Sequence, residues 1–112
     1  MARHLLIVDD NDRYAKNLDD FFIPLGYTTE RAVTAAEGMH LIKLRGPRHY
    51  DVMVTDITME SQLAGLYMLY ALKPEDFLGT VVVASTGFDV PGVLSASRLL
   101  MRSSGVHYLV PK

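Results

Sequence analysis

Acidic side chains directly follow two short apolar runs of the sequence. Asp9 and Asp10 follow the run at 5–8, and Asp56 follows the run at 51–55. If the two runs are neighbouring strands of one sheet, the three carboxylates meet at the same edge and repel one another. A hard divalent cation relieves such repulsion, and Mg²⁺ takes oxygen ligands together with several waters. The pattern therefore predicts a magnesium site.

The same acids also indicate a reaction. Asp9 and Asp10 would hold the ion with help from the backbone carbonyl of Thr58. Asp56 would then act as a nucleophile, since a carboxylate can attack phosphorus and form an acyl phosphate. The metal would offset the charge that develops on the transferred group.

These residues also have a simpler interpretation. Asp9, Asp10 and Asp12 are of types that cap helices and that favour the positive end of a helix dipole. In the same interpretation, Asp56 would be an ordinary cap or loop residue. A hydroxyl at Ser85 or the residue after it, at the end of a later apolar run, either bonds a phosphoryl oxygen or forms a turn.

Strand and helix patterns alternate along the chain. A parallel sheet with helices on both faces is typical of this alternation. We expect a flavodoxin-like, three-layer α/β domain with a five-stranded parallel sheet in the order 2-1-3-4-5, in which strands 1 and 3 are neighbours. The predicted strands are 5–8, 27–32, 51–55, 81–84 and 107–110, and the second is polar enough to lie at an edge.

Four helical stripes separate these strands. The first is closed by Pro24 and Gly26, the second begins at Thr34 and ends at Gly46. The apolar positions of the first two stripes are Tyr14, Leu18, Phe21, Phe22 and Leu25, then Ala35, Met39 and Ile42. Those of the last two are Leu66, Leu69 and Tyr70, then Val93, Ser97, Leu100 and Met101.

Composition narrows the class of protein. The chain has 112 residues, enough for a single domain at 1–112. It contains no cysteine, which excludes disulfides and thiolate metal sites. A net charge of −2 argues against nucleic-acid binding, and we expect no membrane span and no signal peptide. A cytoplasmic location is the expectation.

With these residues in place, the sequence resembles the receiver domains of two-component response regulators along nearly its whole length. The resemblance depends on order and spacing together, because no single segment is specific. The segments that carry it are 6–11, Gly26-Tyr27, Ala32 with Ala36, 51–59, 82–85 and 108–110.

The resemblance implies a role for each matching residue. Asp56 resembles the phosphoacceptor that takes a phosphoryl group from a sensor histidine kinase or phosphotransfer protein. Asp9 and Asp10 resemble the Mg²⁺-binding acids beside it, and Ser85 and Tyr108 match the switch positions. The protein would then be a signalling phosphoacceptor rather than an enzyme, with self-catalysed transfer and autodephosphorylation only. Its output would be contact with a downstream protein target.

Three departures from the family pattern affect this interpretation. Pro111 takes the place of the family's lysine near the phosphoryl group, and Lys112 follows it. Glu60 adds negative charge where proline is usual. The sequence ends where the family's last helix begins, which would expose apolar surface of strands 1, 3 and 5 and of the first helix. We therefore expect a homodimer that covers this face.

The departures leave a second function open. A degenerate receiver would serve as an interaction or dimerisation module without phosphorylation. A phosphatase of the haloacid-dehalogenase type is a poor match, because it needs a second acid at the position of Thr58.

Overall fold

The computed structural model describes residues 3–56, 75–85 and 108–111, which form five strands and two helices. A short 3₁₀ turn, Ile23–Leu25, follows the first helix. The elements are β1 (Arg3–Val8), α1 (Asp12–Phe22), β2 (Tyr27–Ala32), α2 (Ala35–Arg45), β3 (Val52–Asp56), β4 (Thr80–Ser85) and β5 (Tyr108–Pro111).

The strands form one parallel sheet in the order β2-β1-β3-β4-β5. This confirms the predicted topology, and β2 lies at an edge as its polarity indicated. Its predicted bounds agree with the structure, whereas the other strands differ from prediction by one or two residues at their ends. In the register, Val8 pairs with Thr55 of β3 and with Ala32 of β2.

Two apolar clusters lie on opposite faces of the sheet. On the α1 face, Leu5 and Ile7 pack with Val54, and on the α2 face Leu6 and Val8 pack with Met53. Side chains alternate between faces along a strand, so β1 needs apolar residues at consecutive positions to fill both clusters. This explains the continuous apolar run at 5–8.

The helices begin and end at residues of the expected types. The carboxamide of Asn11 caps α1 by accepting from the Tyr14 N–H (2.9 Å), and the Thr34 hydroxyl caps α2 by accepting from Glu37 N–H (3.1 Å). Gly26 follows the 3₁₀ turn after α1, and Gly46 follows α2. Both have a φ of 95°, a conformation that favours glycine. The local sequence therefore sets these boundaries.

One part of the α1 prediction is wrong. Tyr14, Leu18 and Phe22 pack against the sheet, but Phe21 is 63% exposed and Leu25 is 61% exposed. The chain leaves the helical path after Phe22, so the helical spacing of the stripe does not extend to Leu25. The sheet face beneath is also better covered than expected.

The expected exposure of β1 and β3 is not found at their central side chains. Leu5, Ile7 and Val54 are 0–4% exposed, within the cluster that includes the inner face of α1. Apolar exposure on this side lies instead at the end of α1 and in the 3₁₀ turn after it, where Ile23, between Phe21 and Leu25 in sequence, is 53% exposed. We refer to these three residues as the α1 end patch.

A polar network joins β2, α2 and the loop before β3 at the amino edge of the sheet. Arg45 binds both carboxylate oxygens of Glu30 (3.3 and 2.8 Å), and the Tyr50 hydroxyl donates to the same carboxylate. The Arg45 and Tyr50 hydrogen bonds lower the pKa of Glu30, while burial raises the pKa of Tyr50. These groups line a cleft of about 270 Å³.

Several predictions fall on residues outside the described ranges. They include the third and fourth helices and the chain beyond Pro111. Among the described residues, no helix is both long and apolar enough to cross a membrane.

Gly79 provides a test of the packing at the amino edge. A Cβ at this position would lie 2.5 Å from the Tyr50 carbonyl oxygen and 2.8 Å from that of Asp51. Because backbone atoms shift less easily than side chains, we expect Gly79→Ala to destabilise the fold by about 2 kcal/mol in urea titration.

The matched control is Gly26→Ala. Gly26 has no atom within 4 Å of its would-be Cβ and lies in the left-handed helical region, so the substitution introduces only the strain of a positive φ. It should cost about 1 kcal/mol. Equal effects of the two substitutions would contradict the close packing described for Gly79.

Candidate functional site

Three aspartates meet at the carboxyl edge of the sheet. Oxygen atoms of Asp9, Asp10 and Asp56 all lie within 4.8 Å of one another. Asp9 is 1% exposed and Asp56 is 5% exposed, whereas Asp10 faces solvent. The structure therefore brings together the three acids that the sequence predicted to meet.

Strand pairing explains why the acids are close. Asp56 is the last residue of β3, and Asp9 is the first residue after β1. Since Val8 pairs with Thr55, the next residues along the two parallel strands emerge side by side.

The loop after β1 holds Asp9 in a defined position. Its N–H donates to the Ala32 carbonyl (3.0 Å), and its Oδ1 accepts from the Asn11 N–H (2.8 Å). The capping interpretation is wrong for Asp9, because Asn11 is the N-cap of α1 and Asp9 is buried beneath it. Asp12 lies in the first turn of α1, where its charge favours the helix dipole.

The acids fit a small, hard cation. An ion with bonds of about 2.1 Å has opposite ligands about 4.2 Å apart, close to the 4.8 Å limit of this cluster. Carboxylates this close repel one another, and a cation bound among them would offset that repulsion. The cluster could therefore hold a metal ion through Asp9, Asp10 and Asp56.

The other predicted site residues are less fully described. Ser85 ends β4, and Tyr108 begins β5, where it pairs with Val82. Pro111 is the backbone partner of Ser85, so a proline occupies the strand position where the family has lysine. Thr58, Glu60 and Lys112 lie outside the described residues.

Sequence reasoning missed Arg31, the second-to-last residue of β2. Its Nε–H donates to the Asp9 carbonyl (3.1 Å), and its Nη1 pairs with Asp12 Oδ1 (2.8 Å). The signal that could have found it is the pairing of β2 with β1, which places the end of β2 beside the loop after β1.

Comparison with known proteins identifies the family. The family model described as "Response regulator receiver domain" matches residues 5–102 of this chain. The chain therefore belongs to the response regulator receiver domain family of two-component systems.

Individual relatives agree with this assignment. The protein named Regulator of RpoS from Escherichia coli K12 is 31% identical over 99 residues. That match covers 88% of this chain, but the chain spans only 28% of the relative's length.

Solved structures share the fold. A receiver domain from Clostridium thermocellum matches 98% of this chain and 82% of its own, with a TM-score of 0.79 at 22% identity. A Burkholderia pseudomallei response regulator with a phosphorylated aspartic acid, a calcium ion and citrate has a TM-score of 0.77 at 17% identity. That match covers 98% of this chain and 59% of the other.

The charge balance of the acidic cluster can be tested through thermal unfolding. At an Mg²⁺ concentration about ten times its dissociation constant, binding should raise the melting temperature by about 5 °C. Asp10→Asn should reduce this rise and slightly increase the melting temperature without metal, because it relieves like-charge repulsion.

Asp20→Asn is the matched control. Asp20 is an exposed acid on α1 that pairs with Lys16, and its replacement should leave the Mg²⁺-dependent rise unchanged. An equal loss in both variants would show that the ion acts on general surface charge.

Proposed function

We propose that this protein is the phosphoacceptor receiver of a two-component signalling system. Asp56 takes a phosphoryl group from a sensor histidine kinase or phosphotransfer protein. The observation that carries the proposal is the convergence of three carboxylates within 4.8 Å, two of them buried. A cation and an incoming anionic group would together satisfy such a cluster.

The acids have distinct roles in this proposal. Mg²⁺ would be held by Asp9, Asp10, Asp56 and the backbone carbonyl of Thr58. When bound, Mg²⁺ supplies positive charge that offsets the charge on the transferring phosphoryl oxygens. Asp9 and Asp10 orient that charge beside Asp56, and the buried position of Asp56 limits the access of water.

The phosphoryl group passes directly from the donor to Asp56. A carboxylate oxygen of Asp56 attacks the phosphorus of the donor's phosphohistidine, and a P–O bond forms as the P–N bond breaks. The imidazole nitrogen leaves with the bonding electron pair and takes up a proton. The product is an acyl phosphate on Asp56, and hydrolysis later restores the carboxylate. We infer that the protein is not otherwise an enzyme.

The Burkholderia pseudomallei response regulator supports this chemistry. That protein carries a phosphorylated aspartic acid and a calcium ion on the same fold. A hard divalent cation and a phosphorylated aspartate are the two groups proposed for the acidic cluster of this chain.

The signal would pass through β4 and β5. Ser85 would bond a phosphoryl oxygen from the end of β4, and Tyr108 on the adjacent β5 would change its packing in response. Such a switch requires two packings close in energy, one of which the phosphoryl group favours. A downstream protein target would read the altered surface. The relative named Regulator of RpoS, a regulator by its name, is consistent with a regulatory output.

A phosphorylation-independent interaction module is the second candidate. Pro111, rather than a lysine, is the strand partner of Ser85, which favours this alternative. If the protein is a phosphoacceptor, Lys112, one residue further on, supplies the positive charge beside the phosphoryl group. If it is a phosphorylation-independent module, no lysine serves the phosphoryl group.

Phosphorylation separates the two candidates. With Mg²⁺ and acetyl phosphate, we expect the intact mass to increase by one phosphoryl group. The increase should disappear in Asp56→Asn, which lacks the nucleophilic carboxylate. Hydroxylamine should release the phosphoryl group as phosphate and leave a lighter hydroxamate on Asp56, because it attacks the acyl carbon of an acyl phosphate. A serine phosphoester would stay intact.

A second variant keeps the test informative. Exchanging the two residues, Pro111→Lys with Lys112→Pro, restores the family order. A wild-type chain that gains no mass, together with an exchanged chain that does, would assign the failure to the missing lysine. If neither chain gains mass, the phosphoacceptor proposal is wrong.

We also propose a homodimer that buries the α1 end patch of Phe21, Ile23 and Leu25. These side chains are apolar, close in sequence and 53–63% exposed, and exposed apolar groups of this kind are typical of an interaction surface. A second copy would bury the patch against the same face of its partner.

Light scattering tests the dimer. We expect wild-type chain to have twice the mass of one chain, and Leu25→Ser to shift it toward monomer. Leu44→Ser is the control, because Leu44 on α2 is 63% exposed, similar to the 61% of Leu25. A wild-type monomer at high concentration would overturn the proposal.

A further inference from the structure

We propose that Arg31 is a positioning residue for the acidic cluster. Its guanidinium joins the end of β2 to the start of α1 and holds the peptide between Asp9 and Asp10 in the orientation that ion binding needs. This inference rests on the proposed metal site, and it adds a residue outside the acids themselves.

The sheet sets the position of the Arg31 backbone. It pairs with Ile7 in the β1–β2 register, so it lies two residues before the level of Asp9. Its side chain is 29% exposed and reaches the loop between β1 and α1. A strand residue, rather than a loop residue, therefore supplies the contact, and the sheet fixes its backbone.

The guanidinium of Arg31 contacts two acceptors. The Nε–H donates to the Asp9 carbonyl oxygen at 3.1 Å, and Nη1 lies 2.8 Å from Asp12 Oδ1. Nη2 is buried without a hydrogen-bond partner among the described residues. The head of Arg31 is therefore held by two acceptors on opposite sides of Asp10.

The peptide between Asp9 and Asp10 connects the Arg31 contacts with the acidic cluster. The Asp9 carbonyl belongs to the planar peptide that continues into Asp10. Asp9 N–H is already held by Ala32 O at 3.0 Å, so Arg31 fixes the second peptide plane at this residue. The direction in which the Asp10 side chain leaves the backbone follows from that plane. Arg31 thereby sets the distance between the exposed and the buried carboxylates.

The ion pair between Arg31 and Asp12 contributes to positioning rather than to the stability of the fold. Asp12 is 92% exposed at its side chain, and such ion pairs contribute little to the stability of a fold. A guanidinium can reach two acceptors with a rigid fork, whereas the lysine ammonium is a single point at the end of a flexible stem. Lysine at position 31 would keep the charge and lose the geometry.

Charge and geometry make opposite predictions for the loss of Arg31. If the guanidinium acted only by its charge, Arg31→Gln would remove a positive group near the acids and tighten cation binding, and Arg31→Lys would have no effect. If Arg31 positions the loop, both variants weaken binding.

The experiment is isothermal titration of the full chain with MgCl₂ and no phosphodonor. We expect Arg31→Lys and Arg31→Gln each to raise the dissociation constant about tenfold, as is typical when a partner of the ligands is lost. Arg48→Gln is the matched control. Arg48 lies in the loop before β3, at the opposite edge of the sheet, and its loss should leave the constant unchanged.

A metal-free measurement accompanies the titration. The amide of Asn11, which donates to Asp9 Oδ1, should exchange with solvent faster in Arg31→Lys by NMR, while the melting temperature stays within a few degrees of wild type. A purely stabilising role would lower the melting temperature and leave this ordering intact.

The outcomes are distinguishable. Wild-type chain that fails to bind Mg²⁺ overturns the proposed metal site, and this inference with it. Wild-type binding with an unchanged constant in Arg31→Lys, or tighter binding in Arg31→Gln, overturns the inference alone.

Discussion

The parallel pairing of β1 with β3 is the constraint from which the rest of the site follows. Val8 lies opposite Thr55, so the residues that come next, Asp9 and Asp56, lie side by side at the carboxyl edge of the sheet. Both carboxylates are buried at one edge, where like charges repel one another. Apolar clusters on both faces of the sheet stabilise the strands that carry them.

Much of this arrangement could be predicted because it depends on local signals. Continuous apolar runs indicated the buried strands, and the polar sequence of β2 indicated an edge. Thr34 and Gly46 bound α2 because hydroxyl caps and positive φ act within a few residues. The convergence of Asp9, Asp10 and Asp56 followed from strand order alone.

What could not be predicted depends on contacts between residues distant in sequence. Arg31 meets Asp9 through the β1–β2 register, and Glu30 meets Arg45 and Tyr50 across three elements. The exposure of Leu25 has a local cause, because helical spacing assumes that the α-helix continues, whereas the backbone forms a 3₁₀ turn after Phe22. Phe21 lies within α1, at the margin of the stripe whose other members pack on the sheet. The meeting of Pro111 and Ser85 likewise depends on the β4–β5 register, which no local pattern specifies.

The apolar residues of β1 on both faces have a consequence for how the chain finds its fold. A strand that alternates polar and apolar residues cannot slip by one position without exposing its apolar side, but 5–8 would stay apolar on either face. Hydropathy therefore leaves the alignment of this strand undecided. Contacts of particular side chains at its two ends favour one alignment: the Asp51 carboxylate accepts from the His4 N–H at one end, and the Arg31 side chain donates to the Asp9 carbonyl at the other. A shifted register would separate these pairs, so the contact near the acids contributes both to strand alignment and to the geometry of the site.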